Sequence, residues 1–285
     1  MFYSVRSPMS NAPSSIARRR FLKDLVLTTA FGVNFAALSK NLLLASSDCT
    51  LTFDSIIERP SDSYTQGLAF EIDPQSSLPV LYESGGRYGK SLLRCVNAKT
   101  YEIIRERKIP RNFFAEGISI IGDKIYLLTW REHTCLIYDK FTFQKVAEFS
   151  YTGEGWGLAY DGQKFLMSNG SSKIKILDPA TFRVQKTIDV HYKTSKGYSR
   201  IQNLNELEYI NGEIWANIFQ QDLVVRINPL TGEVIGKPLN FTNYVPKKFI
   251  QSNEYVLNGL AFDPNEKKLY LTGKCWPVIY VFKLS

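Results

Sequence analysis

A short pattern returns along the chain: one polar or aromatic residue, a glycine, then apolar and small residues in a strand-like run. It reads Gln66-Gly67-Leu68-Ala69-Phe70, Glu116-Gly117-Ile118-Ser119-Ile120, Trp156-Gly157-Leu158-Ala159-Tyr160 and Asn258-Gly259-Leu260-Ala261-Phe262, with a degenerate copy at Asn205-Glu206-Leu207-Glu208-Tyr209. Successive copies begin 40 to 53 residues apart, the spacing of units that each contribute a four-stranded sheet. Each copy predicts a first strand. Turn residues such as Gly122-Asp123, Asp161-Gly162, Asn211-Gly212 and Asp263-Pro264-Asn265 lead into a second predicted strand at 81–83, 124–130, 164–168, 213–218 and 268–272. A third is predicted at 92–96, 134–138, 174–177, 223–227 and 278–282. After four of these the chain turns at a recurring Asn/Asp-x-x-Thr, at 97–100, 139–142, 178–181 and 228–231, and a short fourth strand completes the unit.

The last unit ends at Ser285 without a fourth strand, and the run 51–58 is available to supply it. The predicted fold is therefore all-β, a five-bladed β-propeller closed by the N-terminal strand. Closure removes the open sheet edges that invite aggregation, and a closed ring needs no partner, so a monomer is expected. Composition agrees: 18 Phe and 16 Tyr against 3 Met favour strands over helices.

Residues 1–48 read as a targeting segment and 49–285 as the propeller domain. Arg18-Arg19-Arg20-Phe21-Leu22-Lys23 fits a twin-arginine export signal. The apolar stretch that follows, near 25–38, is interrupted by Thr28, Thr29, Gly32 and Asn34 and is too short for a membrane span. Small residues at Ala45, Ser46 and Ser47 form a candidate cleavage region. The expected location is exported, periplasmic or secreted, with no stable membrane insertion after processing. Of the formal charge of +8, this segment carries 6 − 2 = +4. The domain is thus only mildly basic, with no contiguous basic stripe, which argues against nucleic acid as a partner. The four cysteines contain no Cys-x-x-Cys pair, so zinc ribbons and thioredoxin-type sites are not expected; most read as buried thiols.

In a propeller the start of each first strand shares a rim with the end of each second strand. One ring at the predicted mouth is Gln66, Glu116, Trp156, Asn205 and Asn258. The next is Glu83 and Ser84, Thr129 and Trp130, Asn169, Asn217, and Lys274. The five equivalent positions of the first ring carry Gln, Glu, Trp, Asn and Asn, a divergence that is the mark of a site rather than of a packing rule. Apolar neighbours, Phe114, Trp130 and Trp156, would raise the pKa of Glu116 towards a range useful for acid–base work. The other reading of Glu116 is a channel carboxylate that holds a cation or an arginine. Both histidines fall outside the rim, so a multi-histidine zinc site is not expected, and no Walker-type or dinucleotide glycine pattern is present.

Nine motifs in order, Tyr64-Thr65-Gln66-Gly67-Leu68, Tyr82-Glu83-Ser84, Ala115-Glu116-Gly117-Ile118, Leu128-Thr129-Trp130, Gly153-Glu154-Gly155-Trp156-Gly157-Leu158, Leu204-Asn205-Glu206-Leu207-Glu208, Trp215-Ala216-Asn217, Leu257-Asn258-Gly259 and Thr272-Gly273-Lys274-x-Trp276-Pro277, give the chain a specific resemblance to a known family. It resembles the plant and bacterial glutaminyl-peptide cyclotransferases from residue 51 to the C-terminus. The resemblance implies a five-bladed propeller that converts the N-terminal Gln of peptides or proteins to pyroglutamate with release of ammonia, without catalytic zinc and with no required cofactor. It maps the family's catalytic glutamate onto Glu116. Asn205, Gln66 and Lys274 are expected as oxyanion donors or peptide anchors, Trp130, Trp156 and Trp276 as an aromatic cage, and Asn258 and Asn169 as further substrate contacts. Two departures stand out: Asn169 replaces an aspartate, and Ser84-Gly85-Gly86 replaces Ser-Thr-Gly. A structural calcium or other cation in the channel is compatible with this reading. The competing classes are a non-catalytic peptide- or sugar-binding propeller and a calcium-dependent hydrolase, the latter disfavoured because the rim offers only Glu83 and Glu116 as acids.

Overall fold

The computed structural model describes residues 42–46, 49–195 and 197–285. The twin-arginine motif and the apolar stretch after it lie outside the described residues. From the end of that segment, strand β1 (Leu42–Ser46) pairs antiparallel with β2 (Cys49–Glu58), so the expected cleavage region overlaps the end of β1.

Five sheets follow. The first blade is β3 (Thr65–Ile72), β4 (Pro79–Gly85), β5 (Leu92–Asn97) and β6 (Ile103–Lys108), and the second is β7 (Ala115–Ile121), β8 (Lys124–Thr129), β9 (Thr134–Asp139) and β10 (Lys145–Ser150). The third is β11 (Leu158–Tyr160), β12 (Phe165–Met167), β13 (Lys173–Leu177) and β14 (Val184–Asp189). A hairpin that the repeat did not announce, β15 (His191–Thr194) with β16 (Gly197–Arg200), precedes the fourth blade. That blade is β17 (Leu204–Ile210), β18 (Glu213–Ile218), β19 (Leu223–Ile227) and the two-residue β20 (Leu239–Asn240). The fifth is β21 (Leu257–Asp263), β22 (Lys268–Gly273) and β23 (Val278–Leu284).

The expected closure is present. β2 pairs antiparallel with β23 from Leu51↔Leu284 to Glu58↔Val278, supplying the fourth strand of the last blade. The five first strands form a ring, each in contact with the next: β3 with β7, β7 with β11, β11 with β17, β17 with β21, and β21 with β3. The repeated glycines make this ring tight. A methyl on Gly157 would stand 2.2 Å from the Asn205 carbonyl oxygen of the next blade. In the fourth blade the glycine is replaced by Glu206, whose carboxylate instead reaches across to accept from Leu260 N of the fifth blade at 2.9 Å.

The core consists of wedges between adjacent blades. Val80, Tyr82, Leu93 and Cys95 meet Ile118, Leu127, Tyr138 and Phe143; Leu128 and Ile137 meet Leu158, Phe165 and Phe182; Ile210, Trp215 and Val224 meet Leu257, Leu271 and Trp276. The Asn/Asp-x-x-Thr motif is an Asx turn: in each of the four copies the side-chain oxygen of Asn97, Asp139, Asp178 or Asn228 accepts from the backbone N–H groups two and three residues on. All four cysteines are free, and Cys49, Cys95 and Cys135 are buried. Among the described residues no helix is long and apolar enough to cross a membrane.

Candidate active site

The inner strands set the backbone of the mouth before any side chain is considered. Ser84 on β4 donates through Oγ to the carbonyl of Glu116 in the next blade. Ser168, just after β12, repeats this to the carbonyl of Asn205 at 2.6 Å, and Gly117 N donates to Trp156 O at 2.6 Å. Glu116, Asn205 and Trp156 are thereby each tied through their backbone to a neighbouring blade.

Glu116 and Gln66 lie side by side. Gln66 Nε2 donates to Glu116 Oε1 at 3.2 Å, while Asn258 Nδ2 donates to Gln66 Oε1 at 3.4 Å and to the carbonyls of Thr65 and Gln66 at 3.1 and 3.3 Å. Asn258 therefore orients the Gln66 amide. Glu116 is 5% exposed, and burial raises its carboxyl well above the ordinary carboxylate range. Lys274 opposes that rise, and Glu154 and Glu132 add to it. Lys274, 4% exposed, is itself pushed down to about 8, chiefly by burial and against the pull of Glu116. Its Nζ stands 4.8 Å from the ring centroids of both Tyr64 and Phe219, a cation between two aromatic rings.

These contacts join into a circuit. From Lys274 it runs through Tyr64 to Phe114 (6.4 Å between centroids) and on to Trp130 (5.4 Å); the other arm runs through Phe219 to Trp156 (5.6 Å). Glu154 closes it by accepting from both indole nitrogens. The mouth thus holds one buried carboxylate and one buried ammonium within a wall of aromatic rings. Asn205, 2% exposed, has a buried side-chain oxygen with no hydrogen-bond partner among the described residues, as does Asn258.

Other predicted positions sit elsewhere. Trp276 is fully buried in the wedge between the fourth and fifth blades, its ring lying on Gly273 and its Nε1 donating to Tyr255 O at 3.0 Å, so the structure places it in the core rather than among the rings of the circuit. Asn169 accepts from Ser171 Oγ at 2.6 Å and Ser171 N at 3.3 Å, holding the turn after β12. Asn217 accepts from Gly259 N at 3.1 Å, and Glu83 is fully buried in an ion pair with Arg59 at 2.6 Å. Both histidines bond to backbone carbonyls, His133 to Gly153 O in the loop that carries Glu154 and His191 to Asp189 O. Among the described residues no group of three or more His, Cys, Asp or Glu is placed to hold a metal ion.

Phe219 was not anticipated, although it is legible once strand ends are aligned. Trp130, Phe219 and Lys274 each directly follow the last residue of a second strand, Thr129, Ile218 or Gly273. The strand itself was read at its observed bounds, 213–218, but taking Asn217 as its rim residue stopped two positions short of Phe219, a shift that keeps the same face of a strand and so leaves no conflict in the pattern.

A five-bladed propeller with a buried carboxylate and ammonium in an aromatic mouth defines the class. The glutamine cyclotransferase family profile matches residues 29–284. A glutaminyl-peptide cyclotransferase of Arabidopsis thaliana is 32% identical over 296 aligned residues, covering 98% of this chain and 89% of that protein. The crystal structure of Myxococcus xanthus glutaminyl cyclase superposes with a TM-score of 0.72 at 27% identity, over 82% of this chain and 96% of that one. The chain belongs to the glutamine cyclotransferase family.

Proposed function

We propose that this protein is a glutaminyl-peptide cyclotransferase, an acyltransferase that closes the N-terminal glutamine of a peptide or protein to pyroglutamate and releases ammonia, with Glu116 as the proton carrier. The observation that supports this most is the burial of Glu116 beside Lys274 in the aromatic mouth of a family member.

In the reaction the α-amine nitrogen bonds to the side-chain amide carbon, and the bond from that carbon to the amide nitrogen breaks. The amine loses a proton and the departing nitrogen gains one. A carboxyl group raised towards neutrality takes and returns a proton most effectively near working pH, which is the setting of Glu116. Lys274 and the amide of Gln66 are donors suited to the oxyanion of the tetrahedral intermediate. The unpaired Asn205 side-chain oxygen suits an N–H of the substrate. Trp130, Trp156, Phe114 and Phe219 offer apolar faces for the glutamine methylenes. The chemistry is assigned to these side chains rather than to zinc or another cofactor. Asn258 acts through Gln66, Asn169 through the turn that follows it, and Trp276 through its packing on Gly273, the residue before Lys274. Export by residues 1–48 and action as a monomer outside the cytoplasm complete the reading, on the strength of the twin-arginine motif and the closed ring.

The test is ammonia release from Gln-Ala, followed with a coupled assay. Glu116→Gln is expected to lower the rate by about 10²–10⁴-fold with the melting temperature nearly unchanged, since the amide keeps an acceptor for Gln66. Binding of Gln-Ala without any ammonia from the parent protein would instead favour a non-catalytic peptide-binding propeller.

A further inference from the structure

Glu154 lies in the loop between β10 and β11, two residues before Trp156. A single oxygen of its carboxylate, Oε2, accepts from two indoles on different blades: Trp130 Nε1 at 2.8 Å and Trp156 Nε1 at 2.9 Å. The other, Oε1, accepts from Arg131 Nε at 3.0 Å, and the Arg131 guanidinium lies 3.7 Å over the Trp130 ring. The loop is itself held: Gly155 N donates to Trp130 O at 3.1 Å, and His133 Nδ1 is 2.8 Å from Gly153 O. An indole has one donor, so a bond to it fixes the ring's rotation as well as its position. Each ring also has an aromatic neighbour, Phe114 for Trp130 and Phe219 for Trp156, and among the described residues Glu154 is the side chain that bonds to both indoles.

We propose that Glu154 is a positioning residue that locks Trp130 and Trp156 together, so that the bound glutamine side chain is presented to Glu116 in a reactive orientation. The inference rests on the reading of the mouth as the cyclisation site and goes beyond it by assigning the coupling of its two walls to one carboxylate. The charge of Glu154 has a second effect, because it faces Glu116 together with Glu132 and Lys274 and makes a proton on Glu116 harder to lose. Hydrogen bonds from Trp156, Trp130 and Arg131 outweigh partial burial and hold the Glu154 carboxyl below the usual range, so it is charged when the enzyme works.

Glu154→Ala and Glu154→Gln in the full chain separate these effects. In Glu154→Ala the indoles lose their shared acceptor. The near-UV circular dichroism of the tryptophans should weaken, KM for Gln-Ala should rise and kcat fall, and kcat/KM should drop about 10- to 100-fold, with the far-UV spectrum unchanged. In Glu154→Gln the amide oxygen still accepts from both indoles, so the near-UV signal and KM should largely recover. The acid limb of the kcat/KM–pH profile should move to lower pH, because one negative charge facing Glu116 is gone. A kcat/KM in Glu154→Ala within about twofold of the parent, or an unchanged near-UV signal there, overturns the proposal. If Glu154→Ala does not fold, Glu154→Asp takes its place, because a carboxylate one methylene shorter keeps the charge but draws back from the two indoles, and an unchanged near-UV signal with an unchanged kcat/KM there overturns the proposal. Failure of the parent to release ammonia would sink the cyclotransferase reading instead, while the near-UV comparison would still report on the indole lock.

Discussion

Lys274 is an ammonium with little water around it, resting between the Tyr64 and Phe219 rings and facing Glu116. Desolvation favours its neutral form and Glu116 its charged form, and the balance of about 8 leaves it charged at neutral pH. As pH rises through that value, the proton is lost, and with it the positive charge offered to a developing oxyanion. The parent's kcat/KM should therefore fall above about pH 8. In Lys274→Met that alkaline fall should disappear and the rate should drop about 10²–10³-fold. The acid limb should also move to higher pH, since the cation that opposed protonation of Glu116 is gone. Profiles with the same peptide cancel the substrate amine's own titration; a parent rate still flat at pH 10 would remove Lys274 from this role. Glu116, Gln66 and Lys274 were legible because a repeat that varies at one position points at that position. Trp276 was not, because its sequence neighbourhood says nothing of direction. Cys275 adopts φ 58°, and the indole that follows turns back onto the bare face of Gly273 instead of into the mouth.

Between elements, the site depends on how closely the inner strands approach. Gly157 faces the backbone of Asn205, Glu206 and Leu207, with distances of 2.2, 2.8 and 2.8 Å awaiting any added methyl. Those atoms are main chain and cannot rotate aside, so a methyl must push β17 away from β11. Gly157→Ala should cost about 1–3 kcal/mol or more by urea denaturation and should lower kcat, since Trp156 and Asn205 flank the contact. Gly162, in the turn between β11 and β12, has φ +94° but open space around it, so Gly162→Ala carries only backbone strain of about 1–2 kcal/mol and should leave kcat unchanged. Equal kcat values for the two variants would show that inner-strand approach does not govern the mouth. The glycine periodicity made the first strands readable. The β15–β16 hairpin lay outside any repeat and so gave no signal. Although the second strand of the fourth blade was read at its observed bounds, 213–218, its rim residue was taken as Asn217 rather than Phe219 because a two-residue shift preserves strand alternation.

At the scale of the whole molecule, the ring must be sealed where its ends meet, and the seam holds a charge pair as well as a strand. Arg59 directly follows the closing strand β2, and both it and Glu83 have no side-chain exposure. The guanidinium bonds to Glu83 Oε1 at 2.6 Å, Thr65 Oγ1 at 2.8 Å, Gly273 O at 2.9 Å and Trp276 O at 2.9 Å, touching the closing segment's two neighbours, the first and fifth blades, at once. Glu83 also accepts from Thr65 and from the Tyr101 hydroxyl. Burial alone would raise the Glu83 carboxyl, yet Arg59 and these donors keep it below its ordinary value, so the pair stays ionised. Sequence reading took Glu83 for a rim acid because its partner lies in the linker before the first repeat, and only closure brings the two together. A lone buried charge costs far more than a missing pair. Arg59→Met should therefore destabilise the domain by about 3–5 kcal/mol, and Arg59→Met with Glu83→Gln by clearly less, as read from urea midpoints. A double variant no more stable than Arg59→Met would mean that the seam relies on the guanidinium's bonds to Gly273 and Trp276, and that Glu83 contributes nothing the strand pairing of β2 with β23 does not already provide.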